Sequence, residues 1–195
     1  GWRGWRSFRR TWWLMLAGRM VSAVQVVAGL EPPGRRLTAA EVTRLRPIFD
    51  DSLDYAAVRV KEGKLGVLGV TGRAFAHGNT VFIPARGALD FGLLVHELTH
   101  VWQHQHGGTA YLSAALFAQW LGDGYDWRKA VGQELRWHQL NPEQQAQLVE
   151  DAALSDLIPP SVPLPPRAKL KGWTEAALPL LAEALDCLRS GRGAP

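Results

Sequence analysis

A single cysteine, Cys187, leaves this chain without an intrachain disulfide and without the sulfur ligands of a cysteine zinc cage. Any metal it binds must be held by histidine and carboxylate. No run of about 18 uncharged apolar residues occurs, which argues against a transmembrane helix. Acid is nearly missing from the first 36 residues, where Arg3, Arg6, Arg9, Arg10, Arg19, Arg35 and Arg36 face Glu31 alone. The formal net charge of +4 is therefore concentrated in that segment, and the rest is close to neutral or slightly acidic. A nucleic-acid-binding domain would carry its basic residues on the folded part, so no nucleic-acid partner is expected. Methionine is also scarce, with Met15 and Met20 both near the start. The composition, 47% hydrophobic and 21% charged, is that of a globular chain, and 195 residues suit one domain with some extra material.

What is present is a dense run of histidine. Residues 91–107 read FGLLVHELTHVWQHQHG and contain the H-E-x-x-H pattern His96-Glu97-Leu98-Thr99-His100. Residues four apart on a helix share a face, so His96 and His100 can present imidazole nitrogens to one ion. Glu97, one position further round, can reach a water bound to that ion. Leu93, Leu94, Leu98, Val101 and Trp102 supply a broad apolar face, and Asp90 is placed to cap the helix.

Two histidines leave a catalytic zinc one protein ligand short. His104 would lie roughly 12 Å along the axis from His96, too far to share an ion with bonds of about 2 Å. His106 has the spacing of the metzincin pattern H-E-x-x-H-x-x-G-x-x-H, but Gln103 stands where that pattern needs glycine. Both methionines lie upstream, so the downstream methionine turn is missing as well. A glutamate from a later helix is the other source. Asn141-Pro142-Glu143 reads as a helix start, with Asn141 as cap and Pro142 in the first position. Glu143 there is either a ligand or a carboxylate favoured by the helix dipole. Spacing alone leaves Glu143, Glu134 and Glu150 open.

Residues 1–36 form a basic, tryptophan-rich segment that passes into apolar sequence. It reads either as a secretory signal, with Arg9-Arg10 suggesting the twin-arginine type, or as an amphipathic helix against the domain or a membrane surface. The bacterial cytoplasm and export through a dedicated system are both open as compartments. Thr38 with Glu41 is a capping-box signature for a helix ending near Asp50. Tyr55–Val60 is expected to be a strand, with a turn over residues 61–64, and Thr80–Ile83 a second strand after a His77-Gly78-Asn79 turn. Thr80–Ile83, the last strand before the H-E-x-x-H helix, is the candidate cleft edge to which an extended peptide adds. Helix, strands and then an H-E-x-x-H helix predict an α+β, zincin-like fold: a small sheet on the metal-bearing helix, followed by a helical part. The domain is expected to span 37–157. A proline-rich linker over 158–168 and a terminal helix within 169–195, capped by Thr174, follow it. Residues 109–121 form an apolar segment that could cover the site or the core. Tyr125 is a candidate stabiliser of an oxyanion, and His138 reads as a surface histidine.

Several of these stretches occur together: Leu37-Thr38-x-x-Glu41, Phe49, Asp54-Tyr55-x-x-Val58-Arg59-Val60, Val81-Phe82-Ile83-Pro84, HELTHVWQHQ, Tyr125-Asp126-Trp127 and Asn141-Pro142-Glu143-Gln144-Gln145-Ala146. Over about residues 37–152 the chain thereby resembles small bacterial metallopeptidase domains of the gluzincin type. Those domains occur beside Rhs and Vgr-like components of secretion and contractile injection systems. The resemblance implies Zn2+ as cofactor, with Glu143 as third ligand beside His96 and His100. It also implies a peptide or protein substrate, and secretion- or toxin-system proteins as partners. The implied chemistry is hydrolysis by a zinc-activated water with Glu97 as general base. Thermolysin-like gluzincins place a histidine-orienting acid four residues after the ligand glutamate. That position is Gln147 here, and Asp151 lies one turn further on.

Overall fold

The computed structural model describes Met20 and residues 33–63, 74–84, 89–107 and 126–195. The readings of the N-terminal segment before residue 33, of residues 109–121 and of Tyr125 lie outside the described residues. Six α-helices and three strands make up the described fold: α1 Ala39–Phe49, β1 Arg59–Gly63, β2 Phe75–His77, β3 Thr80–Pro84, α2 Phe91–Gly107, α3 Trp127–Gly132, α4 Pro142–Leu154, α5 Pro166–Leu170 and α6 Leu178–Ser190. The class is α+β. No described helix is long and apolar enough to cross a membrane.

Local chemistry sets the helix starts. The Glu41 amide donates to Thr38 Oγ1 at 3.2 Å while the Thr38 amide donates to Glu41 Oε2 at 2.7 Å, the reciprocal box that its spacing predicts. Asp90 Oδ1 accepts from the Leu93 amide at 2.8 Å and so opens α2. Asn141 caps α4 by accepting from the Gln144 amide at 2.9 Å, with Pro142 in the first turn, where its missing N–H costs nothing.

The sheet corrects two expectations. Its order is β1-β3-β2, with β1 parallel and β2 antiparallel to β3. Thr80–Pro84 is thus the central strand, paired with β1 along its length and with β2 over Thr80–Phe82. Over Thr80–Phe82 it has no edge open to an added peptide strand. Residues 55–57 form a turn, and the strand expected over 55–60 instead runs from Arg59 through Gly63, across the span read as a turn. Tertiary pairing with β3 overrides the local preference of Lys61-Glu62-Gly63 for a turn. The Lys61 stem lies buried, and its ammonium sits 5.6 Å from the centre of the Phe82 ring. Gly78, at φ 59, makes the tight β2–β3 connection, and Phe75 stacks on its cross-strand partner Phe82 at 4.7 Å.

The core lies between α2, α4 and α6, with Trp102, Trp127 and Trp137 among its largest fully buried side chains. The terminal helix packs back on the domain. Leu181, Leu185 and Leu188 are buried, α6 rests on α1 and α4, and Trp102 Nε1 donates to the Leu188 carbonyl at 3.0 Å. Thr174 precedes only a short 3-10 turn, Glu175–Ala177, and makes no side-chain cap; α6 begins at Leu178. In the proline-rich stretch Ile158 and Leu164 pack against the core, and α5 starts at Pro166.

Candidate metal centre

Two helices build the site. The amphipathic pattern of α2 buries Leu94, Val95, Leu98, Val101 and Trp102 completely or nearly so, which carries His96 and His100 inward along one flank. The capped first turn of α4 brings Glu143 against them. The helices run antiparallel: His96 faces Glu150, His100 faces Glu143, and Gln103 faces Pro142. Gly92 closes the series at the far end, where a β-carbon would lie 2.7 Å from Leu154.

Nε2 of His96 and Nε2 of His100 each lie 3.4 Å from the same oxygen, Glu143 Oε2. The ligand atoms of the three residues all fall within 4.8 Å of one another. Donors on a tetrahedral ion with bonds of about 2.0–2.1 Å stand about 3.4 Å apart, so the imidazole–carboxylate spacings fit one ion without rearrangement. The donor set also fits, since two imidazoles and one carboxylate suit a divalent cation of borderline softness. Glu143 is only 1% exposed, and a carboxylate so buried needs compensation. Burial opposes its charge, yet its hydrogen bonds with His100 and His96 outweigh this and hold it well below the usual carboxylate range. Burial likewise works against a charged His96, but Glu143 and Glu150 outweigh it and push the imidazole up to about 10. The same balance of charge would favour a cation between these groups.

Each imidazole has a second partner at Nδ1. His96 Nδ1 lies 3.0 Å from Glu150 Oε2, and His100 Nδ1 lies 2.8 Å from Gln103 Oε1. Hydrogen bonds at Nδ1 leave Nε2 to the metal on both rings. Glu97 sits beside the pair, 4% exposed, and its Oε2 has no hydrogen-bond partner among the described residues. Burial pushes its pKa up, against the pull of His100 and His96.

The remaining candidates go elsewhere. His106 Nε2 meets the Ser52 carbonyl at 3.0 Å, with its ring against Trp102, on the other side of α2 from the cluster. Glu134 is exposed in the turn after α3, at φ 54. Glu150 supports His96 from the Nδ1 side and is not grouped with the ligands. His104 is half-buried outside the group, and His138 is exposed. Neither Gln147 nor Asp151 orients a histidine. Gln147 donates to Asp151, whose carboxylate also accepts from Trp127 Nε1 at 3.0 Å and from Arg128 at 2.9 Å. Glu150 takes the orienting role because it lies seven residues, two helical turns, after Glu143 and so shares its face. In the sequence Gln103 stands out only as the residue where another pattern needs glycine, although its place three residues after His100 puts it on the same face.

No family model matches the chain, and no solved structure matches it. The type VI secretion system spike protein VgrG2b of Pseudomonas aeruginosa PAO1 is 36% identical over 138 aligned residues. The likeness covers 60% of this chain, and the chain spans 13% of the length of that protein. Similarity of this extent links the chain to the proteins of a bacterial secretion system.

Proposed function

We propose that the chain is a zinc metallopeptidase domain of zincin-like, gluzincin type, acting within a bacterial secretion or toxin system. His96, His100 and Glu143 would hold the zinc, which supplies the Lewis acid that polarises a carbonyl and acidifies water. The observation that carries the reading is Glu97. A carboxylate 4% exposed, next in sequence to one ligand and with an oxygen that has no hydrogen-bond partner among the described residues, has no use in a purely structural site. Its raised pKa suits a group that takes a proton from an attacking water and gives it to a leaving amine. A peptide or protein is the substrate by analogy with the fold, and delivery through the secretion apparatus follows from the VgrG2b likeness.

That likeness also favours a second reading, a metal-stabilised structural module of a secretion assembly. Glu97→Gln separates the two. In the peptidase it keeps fold and zinc while hydrolysis of a casein or peptide-library substrate falls by at least about 100-fold, the scale of a lost general base. Unchanged hydrolysis in that variant would remove Glu97 from the reaction. Unchanged function of the assembly alongside an inactive wild-type chain would favour the structural module.

A further inference from the structure

Gln103 is fully buried one turn after His100, and all three polar contacts of its amide are made. Its Oε1 faces His100 Nδ1 at 2.8 Å, while its Nε2 donates to the Pro142 carbonyl at 3.1 Å and to Gln145 Oε1 at 2.9 Å. Both of those partners can only accept. Turning the amide over would set an oxygen against two buried acceptors, so the oxygen end is locked toward His100. Gln145, fully buried as well, is locked in the same way. Its Nε2 donates to the Trp137 carbonyl at 3.0 Å and to the Gly193 carbonyl at 3.3 Å, which leaves its oxygen for Gln103.

We propose that Gln103 and Gln145 form an uncharged relay that fixes the tautomer and direction of His100, and that the Gly193 carbonyl completes it. Two backbone carbonyls decide, through two amides, which end of Gln103 meets the imidazole. An oxygen there can only accept, so His100 carries a proton on Nδ1, and Nε2 is the nitrogen turned toward Glu143 and the metal position. The same Gln103 amide grips the carbonyl that precedes Glu143, which ties the third ligand to the second. Gly193 is part of the device. At φ 76, a β-carbon there would lie 2.8 Å from the Trp137 ring, so only glycine brings its carbonyl to Gln145.

The proposal rests on the metal-site reading, and its test separates the two. Zinc affinity is measured by chelator competition on the full chain. The tautomer of His100 is read by long-range 1H–15N NMR with and without zinc. Gln103→Leu is expected to weaken zinc binding about 10- to 100-fold. Gln145→Met, which leaves the Gln103 amide held by the Pro142 carbonyl alone, is expected to weaken it less and to give His100 a mixed tautomer. Gln147→Leu, on the same helix but bonded to Asp151, is expected to bind as the wild type does. Should Gln103→Leu fail to fold, Gln145→Met carries the test alone. Wild-type affinity with an unchanged tautomer in Gln145→Met overturns the relay. If the wild-type chain binds no zinc, the metal reading falls. The relay is then judged on the metal-free spectrum, where a proton on Nδ1 supports it and a proton on Nε2 alone overturns it.

Discussion

The two imidazoles of the centre are held by opposite chemistries. At one end His96 Nδ1 meets the carboxylate of Glu150, which keeps 21% of its side-chain surface exposed. At the other, His100 Nδ1 meets the fully buried amide of Gln103. A carboxylate raises the basicity of the ring it touches, whereas an amide orients the ring and adds no charge. The site already gathers Glu97, Glu143 and Glu150 around two histidines, so a fourth carboxylate, fully buried at position 103, would carry a large desolvation penalty. The chain places the charged partner where water can reach it and the neutral one where it cannot. Electrostatic tuning and geometric positioning are thereby divided between the two ends of one helix pair.

The largest effect is expected where the two ends meet. Glu143 is common to both histidines, so Glu143→Ala should lower zinc affinity by more than about 100-fold, beyond the range of a supporting hydrogen bond. Metal analysis of the purified variants checks this. Full affinity in Glu143→Ala, with loss in Glu134→Ala or Glu150→Ala, would move the third ligand elsewhere.

Next in size is a contrast between the ends. With His96 pushed up to about 10, the metal-free chain is protonated there at pH 8, and zinc binding should release close to one proton from it. Glu150→Gln removes one of the two groups that raise His96. It should weaken zinc binding about 10-fold and reduce the protons released. Gln103→Leu should weaken binding but leave the proton count at His96 unchanged. Calorimetry in buffers of different ionisation enthalpy reads the count directly. Equal counts in both variants would erase the distinction between the ends.

The same charges set the pH response of the metal-free fold. His96 is raised above its ordinary 6.5, so its contribution to stability is complete below 6.5 and is lost as pH climbs toward about 10. Glu143 is depressed below its ordinary 4.5, so its contribution is complete above 4.5 and is lost as pH falls below that value. Metal-free thermal stability should therefore peak between 4.5 and 6.5, as scanning calorimetry across pH would show. Zinc should shift that optimum upward, because the ion replaces the proton.

Much of this was legible in the residues. Thr38 with Glu41, Asp90, and Asn141 with Pro142 each announce a helix start through a local hydrogen bond, and local bonds can be read from spacing. The two candidate metal histidines follow from helical period alone. Glu143 needed the resemblance, because which face of α4 turns toward α2 is settled by tertiary packing. The same non-local cause hid the rest. Lys61-Glu62-Gly63 looks like a turn until β3 pairs with it, and Thr80–Pro84 looks like an edge until β1 joins on its other side. Gln103 stands out in the sequence only as a residue where another pattern needs glycine, and its role depends on the distant carbonyls of Trp137, Pro142 and Gly193.

The smallest expected effect probes how the charged end is spaced. Gly92 lies in the first turn of α2 against the last turn of α4, and a β-carbon there would stand 2.7–2.9 Å from three side-chain atoms of Leu154. Alanine is the better helix former by up to about 1 kcal/mol, with less to gain in a first turn, while overpacking of this kind costs about 1–3 kcal/mol. Gly92→Ala should therefore destabilise the fold by about 1 kcal/mol, a fall of about 2–4 °C in melting temperature for a chain of this size. Leu154 is one turn from Glu150, so the displacement should reach the His96 contact before it reaches His100 at the other end. The expected signature is a small loss of zinc affinity with the His100 tautomer intact. A tautomer change at His100 in this variant would mean that the helix pair moves as one rigid unit and that its two ends are not tuned separately.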